Sequence, residues 1–182
     1  PVKSLADLKG KKIRAGGPIH SATIKALGGV PIGIPITSAA ESLSRGILDA
    51  ASFEWFAAKA FRIMDVTSHH YEAVLGANYA VLVMDKKNFD GLPGDAKKAF
   101  TKHGGEKLAR KFGGMHLKLN GMFRKMAEKS LKHTVIDPSG ADVATLAKMR
   151  KSVIAGWLKS TPNGAQMLAD ARAILAEVRA KK

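Results

Sequence analysis

Short apolar segments alternate with helical patterns through the first half of the chain. Residues 79–84 form the clearest strand candidate, because the six side chains carry no charge. Pro31 and Pro35 place residues 30–36 at a sheet margin, since proline cannot donate to a strand ladder. The β-α-β-α order predicts a three-layer α/β lobe over residues 1–91. Strands are predicted at 11–15, 47–53 and 79–84, and helices at 21–27, at 38–45 behind a capping box, and at 54–61.

The second half of the chain, residues 92–182, is predicted to be mainly helical. Pro93 stands at a helix start, where its missing N–H costs nothing. A long helical stretch follows to residue 132, with loosening expected at its two Gly-Gly pairs. Asp137 and Thr161 each precede a proline, and each pair predicts the start of a further helix.

Composition excludes several classes of protein. The 182 residues are 46% hydrophobic and 25% charged, which is ordinary for a globular chain. No cysteine is present, so disulfides, thiolate metal sites and iron–sulfur clusters are excluded. The six histidines are scattered without a metal-ligand spacing, and neither a P-loop nor a GxSxG motif occurs. We therefore predict no metal site, no cofactor and no enzymatic activity.

The net charge of +15 lies mostly in the second half, where 19 basic and 7 acidic side chains give +12. An excess of basic side chains of this kind is typical of solvated helix faces, or of a surface that docks on an acidic protein or an anionic membrane. Aromatic side chains are sparse among these lysines, and no nucleic-acid-binding motif occurs. We predict no nucleic-acid partner and leave an acidic protein partner open.

Several motifs, in order along essentially the whole chain, resemble one family. LADLKGKKIR at 5–14 resembles the DLKGxKIR motif of the solute receptors of TRAP transporters, which are ATP-independent periplasmic uptake systems for organic acids. The resemblance continues in ALGGVP at 26–31, IPIT at 34–37 and ESLSRGILD at 41–49. LVMDKKNFDGLP at 82–93 resembles the family's LVxNKxxFDxLP.

The resemblance implies a fold, a location and an activity. It implies a periplasmic-binding-protein-like α/β lobe and a periplasmic receptor without catalysis. Such a receptor binds a small carboxylate and presents it to the permease subunits in the membrane. Because family members close two lobes around the ligand, and the matched segment begins at the second, we expect this chain to lack the N-terminal lobe. Parts of residues 92–182 are then expected to cross to that lobe.

The resemblance also implies candidate ligand-binding residues. Arg14 matches the arginine that forms a salt bridge with the ligand carboxylate, for which a guanidinium offers a planar pair of donors. The family lines its pocket near residues 49–55, where this sequence departs from the usual pattern by carrying Glu54 in place of proline. Glu54 is expected either to pair with Arg14 or to bind an amine or hydroxyl of the ligand. Phe53 and Trp55 are predicted as an apolar wall, and Asn78 as a residue that reaches the cleft.

A second hypothesis gives the chain a different role. The absent lobe, the departure at Glu54 and the basic second half also suit a structural or interaction subunit, built on a truncated receptor scaffold within a larger assembly. In that case Arg14 is dispensable, and the basic stretch at 97–132 is not.

Overall fold

The computed structural model describes residues 1–77 and 79–180. A parallel three-stranded sheet has β1 (Lys12–Arg14) at its centre, between β2 (Val30–Ile32) and β3 (Ala50–Ala51). Helix α1 (Pro18–Ala26) connects β1 to β2, and α2 (Ala39–Ser44) connects β2 to β3. The proline-containing β2 lies at an edge of this sheet, as its sequence predicts.

A second, two-stranded sheet pairs β4 (His69–Tyr71) with β5 (Thr134–Ile136), again in parallel. A parallel pair needs a long connection, and here the connection contains the 24-residue α6 (Gly105–Glu128). The remaining helices are α3 (Trp55–Ala60), α4 (Lys86–Asp90), α5 (Gly94–His103), α7 (Gly140–Ser160) and α8 (Gly164–Ala180).

Two buried clusters hold these elements together. The first cluster lies at the three-stranded sheet and includes Ile13, Ile24 and, from α7, Leu146. The second cluster includes Ile63 and Met64 beside α3, together with Ala127 from α6. Each cluster therefore combines residues from both sides of position 91. The division of the chain at that position stays a prediction.

The strand predicted at 79–84 is wrong. The described residues of this segment form no ladder, and the side chains of Tyr79, Leu82 and Val83 are 91%, 79% and 81% exposed. A strand needs a neighbour to pair its backbone groups, and no described strand lies beside this segment. Its composition suits a strand, but the described residues supply no partner.

Two other local predictions also differ from the structure. The segment at 47–53 forms a strand only at Ala50–Ala51. Ser38 precedes α2, but its side chain makes no capping hydrogen bond. The reason is that Ser38 ends a 3-10 turn and already has helical backbone angles, whereas a capping serine is normally extended.

The second half of the chain is largely helical, as predicted. The helical stretch breaks at Gly104, between α5 and α6, and α6 runs unbroken across Gly113 and Gly114. None of the helices in the described ranges has the combination of length and apolar character that a membrane crossing requires.

Candidate functional site

Arg14 ends β1 with its guanidinium half-buried and unneutralised. Its Nε donates a hydrogen bond to the carbonyl oxygen of Ile34 at 3.4 Å. Its Cζ lies 4.9 Å from the centroid of the Phe53 ring, in a cation–π arrangement. Burial lowers the pKa of Arg14, yet no carboxylate forms an ion pair with it within residues 1–77 and 79–180. The terminal guanidinium nitrogens are therefore available to an external anion.

The topology explains why these groups meet. In a parallel sheet the carboxyl ends of all strands lie at one edge, where α/β proteins commonly bind ligands. Arg14 pairs in register with Ile32 of β2 and Ala51 of β3. Ile34 and Phe53, each two residues beyond those partners, consequently lie at the same edge as Arg14.

Glu54 is committed to the start of α3. Its Oε2 accepts from the backbone N–H of Phe56 and its Oε1 from that of Ala57, both at 2.7 Å. It thereby satisfies two amides that a helix start leaves free, and His116 Nε2 lies 3.6 Å from Oε2. The expectation that Glu54 pairs with Arg14 is therefore wrong. Its contact with a polar ligand group stays a prediction.

Trp55 begins α3 and is half-buried. Its indole N–H donates to Glu72, and its ring lies 5.0 Å from that of His70. Phe53 and Trp55 both pack against the second buried cluster. Their role as the apolar wall of a pocket stays a prediction, and Asn78 lies outside the described residues.

A second arginine, Arg124 of α6, has the opposite surroundings. Its Nε donates to Glu72 at 2.8 Å, and its Nη2 lies 3.0 and 3.2 Å from the two carboxylate oxygens of Asp137. Glu128 pairs with Nη1. The hydrogen bond to Glu72, the nearby carboxylates and the bond to Asp137 raise the pKa of Arg124. This cluster is not among the sequence predictions. Its acids Glu72 and Asp137 directly follow β4 and β5, so the parallel pairing of these strands brings them to one edge.

Two histidines that lie far apart in the sequence are in contact in the structure. His70 Nε2 and His133 Nδ1 are 3.0 Å apart. Burial, then the charges of His133 and His69, lower the pKa of His70 to about 4. In the described part of the chain, no group of three or more acidic or histidine side chains is arranged so that it could hold a metal ion.

The described residues form open surface cavities that include the following two. The smaller, about 240 Å³, is lined by residues 16–20, in the turn and first helix after β1, together with Ala77 and Tyr79. The larger, about 570 Å³, is lined by residues 64–68, Lys132 and His133. Neither lining includes Arg14, Phe53, Glu54 or Trp55. We take the edge at Arg14 as the candidate site, because its half-buried cation has no acidic partner among the described residues.

A family model that matches most of the chain identifies the family. Residues 1–160 match the model of the bacterial extracellular solute-binding proteins, family 7 (DctP). The chain belongs to this family. The family predicted from the sequence motifs is thereby confirmed, together with the periplasmic location. Family 7 consists of transporter solute-binding proteins and is not a class of enzymes.

Relatives of known structure share the fold. A TRAP solute-binding protein from Rhodoferax ferrireducens T118, in complex with copurified benzoate, is 26% identical with a TM-score of 0.86; the match covers 97% of this chain and 57% of that one. A relative from Bordetella bronchiseptica with bound (R)- and (S)-mandelate is 24% identical with a TM-score of 0.80, covering 98% and 58%. The predicted α/β class is thereby confirmed.

A curated relative also belongs to the same group of proteins. The 2,3-diketo-L-gulonate-binding periplasmic protein YiaO of Escherichia coli K12 is 33% identical over 109 residues, which are 56% of this chain and 31% of the relative. The chain thus spans little more than half the length of the two structures and aligns with about a third of the curated relative.

Proposed function

We propose that this protein is the ligand-binding receptor of a TRAP transporter and that it binds a small carboxylate at Arg14. The observation that carries the proposal is the half-buried guanidinium at the sheet edge, with a carbonyl and an aromatic ring as its described partners. Burying an arginine without an acid is costly. A carboxylate that arrives with the ligand would remove that cost and bind both terminal nitrogens at once.

Aromatic carboxylates are the ligand class that we propose first. The Phe53 ring lies against Arg14, so aromatic surface lies next to the cation. Trp55 packs against the same buried cluster as Phe53, and we propose that it extends this surface. The two relatives named above carry benzoate and mandelate, which are aromatic carboxylates. Aromatic rings beside a cation suit a ligand that has a ring and a carboxylate. The loaded receptor would then dock on the permease subunits, without any catalytic step.

Isothermal titration with benzoate tests the proposal. We expect wild-type protein to bind, and Arg14→Ala to weaken binding about 100-fold, because a desolvated ligand charge loses its partner. Arg45→Ala is the matched control, since Arg45 pairs with Glu41 on the surface, where both side chains are about 70% exposed. Absence of binding to benzoate, mandelate and aliphatic acids alike would contradict the proposal.

The interaction-subunit hypothesis has its own support in the exposed face of α6. Leu108, Phe112, Met115 and Met122 are 37–51% exposed, among many lysines. An exposed apolar stripe of this kind is typical of a protein interface. Charge reversal at Lys111 and Lys118 would disrupt an assembly that depends on this face, whereas Arg14→Ala would leave it intact. The reverse pattern favours the receptor.

A further inference from the structure

Helix α6 holds the first turn of α3 through one row of side chains. His116, Asn120 and Arg124 follow each other at four-residue spacing, which places them on one helix face. Asn120 Oδ1 accepts from the backbone N–H of Phe56 at 2.9 Å, and His116 lies against Glu54. Arg124 contacts this turn indirectly, through a carboxylate that also binds Trp55.

That carboxylate belongs to Glu72, and each of its oxygens has a different donor. Oε1 accepts from the indole N–H of Trp55, and Oε2 accepts from Arg124 Nε at 2.8 Å. The backbone N–H of Glu72 donates to the carbonyl oxygen of Ile136 at 2.9 Å, which extends the ladder between β4 and β5. Main chain and side chain of Glu72 are therefore both fixed, and with them the direction of the indole N–H.

Arg124 is in turn fixed from two further sides. Asp137, which directly follows β5, pairs with Nη2, and Glu128 of the same helix pairs with Nη1. Each of the three guanidinium nitrogens thus has a protein carboxylate as its partner. The contribution of Arg124 to Trp55 is made through Glu72 alone.

We infer that Glu72 is a positioning residue of the ligand site, which holds the Trp55 ring in one orientation and thereby makes the site selective for aromatic over aliphatic carboxylates. The inference rests on the proposed function, in which Trp55 is part of the aromatic wall of the ligand site. A flat ligand ring gains from an aromatic wall only when the two planes are aligned, and a wall that is already fixed loses little entropy on binding. An aliphatic acid has no ring to align, so its affinity depends much less on the orientation of Trp55.

The ratio of the dissociation constants for propionate and benzoate tests the inference. Glu72→Gln leaves one neutral acceptor for two donors, and we expect it to weaken benzoate binding about fivefold while propionate changes less than about twofold. Trp157 is the other tryptophan of the chain, and Trp157→Phe removes its signal. In that background the near-ultraviolet circular dichroism of Trp55 should also decrease in Glu72→Gln, because that signal requires a fixed indole. Glu41→Gln is the control, since Glu41 lies on the surface and should alter neither quantity.

The outcomes separate this inference from the proposed function. Wild-type protein that binds neither acid overturns both. Wild-type protein that prefers benzoate, with the same preference in Glu72→Gln, overturns the inference alone, as does an equal loss for both acids. If Glu72→Gln fails to fold, Trp55→Phe removes the indole N–H but keeps a ring, and an unchanged preference in that variant contradicts the inference equally.

Discussion

The two parallel sheets each lie beside one arginine, and the two arginines have opposite surroundings. Arg14 has a backbone carbonyl and the face of Phe53 as partners, and no described carboxylate. Arg124 has three carboxylates. Burial lowers the pKa of Arg14, whereas the hydrogen bond to Glu72, as the largest cause, raises that of Arg124. The first guanidinium has no acidic partner among the described residues, and the second joins parts of the protein to each other.

The two sheets also differ in what holds them. The three-stranded sheet rests on a buried apolar cluster that includes Ile24, which is fully buried, and Leu146 of α7. The edge of the two-stranded sheet is joined to α6 by the ion pairs of Arg124 with Glu72 and Asp137, whose side chains are 27–71% exposed. Apolar packing can support a site without neutralising its charge. We therefore expect the two regions to respond differently to mutation, salt and pH.

The largest effect is expected from Leu146→Ala. Leu146 is 2% exposed within the first cluster, so its truncation should lower the free energy of unfolding by about 3 kcal/mol. Val143→Ala on the same helix is the control, because Val143 is 54% exposed. Urea unfolding followed by circular dichroism measures both. Equal losses in the two variants would show that α7 does not support the three-stranded sheet.

The second-largest loss of stability is expected from removal of Arg124, and its cause is electrostatic. Arg124→Ala leaves Glu72, Glu128 and Asp137 close together without their cation, so we expect the melting temperature to fall by several degrees. Added sodium chloride should narrow the gap between wild type and variant, since salt screens partly exposed pairs. Arg45→Ala is the control. A gap that is independent of salt would contradict the electrostatic explanation.

Much of this contrast was accessible from the sequence, and the rest depends on long-range contacts. The motif around Arg14 indicated the family and the edge of β1, because strand, glycine turn and helix follow one another locally. The Arg124 cluster joins positions 72, 124 and 137, and its formation depends on the pairing of β4 with β5 across more than sixty residues. Residues 79–84 show the converse, since local composition favours a strand for which the described residues provide no partner.

Acidification should weaken the two-stranded sheet before the other. His70 has a pKa of about 4 in the folded protein against 6.5 in an unfolded chain, so folding favours its neutral form. Above about pH 7 His70 is neutral in both states and costs no stability. As the pH falls from about 6.5 toward 4, the unfolded chain takes up a proton that folded His70 does not, so the free energy of unfolding decreases. Because His70 is only half-buried, solvent screening reduces the loss to about 1 kcal/mol.

Unfolding of wild type and His70→Asn at pH 7.5 and at pH 4.5 measures this loss. The variant should lose less stability between the two values, and His103→Asn, on the exposed end of α5, should behave as wild type does. His133 and Trp55 contact His70, and the charge of His69 acts on it. None of these three residues is changed in the variant. Equal losses in wild type and His70→Asn would assign the acid sensitivity to another group.

The smallest effect is expected from changing the ring that lies against Arg14. Phe53→Leu keeps apolar bulk beside Arg14 but removes the ring face, and a partly exposed cation–π contact contributes about 0.5–1 kcal/mol. Benzoate should therefore bind about two- to fivefold more weakly, while Phe112→Leu on the exposed face of α6 changes nothing. If Phe53→Leu abolished binding as completely as Arg14→Ala, Phe53 would be a direct ligand contact. The cation would then be one half of a two-part receptor for a ring and its carboxylate.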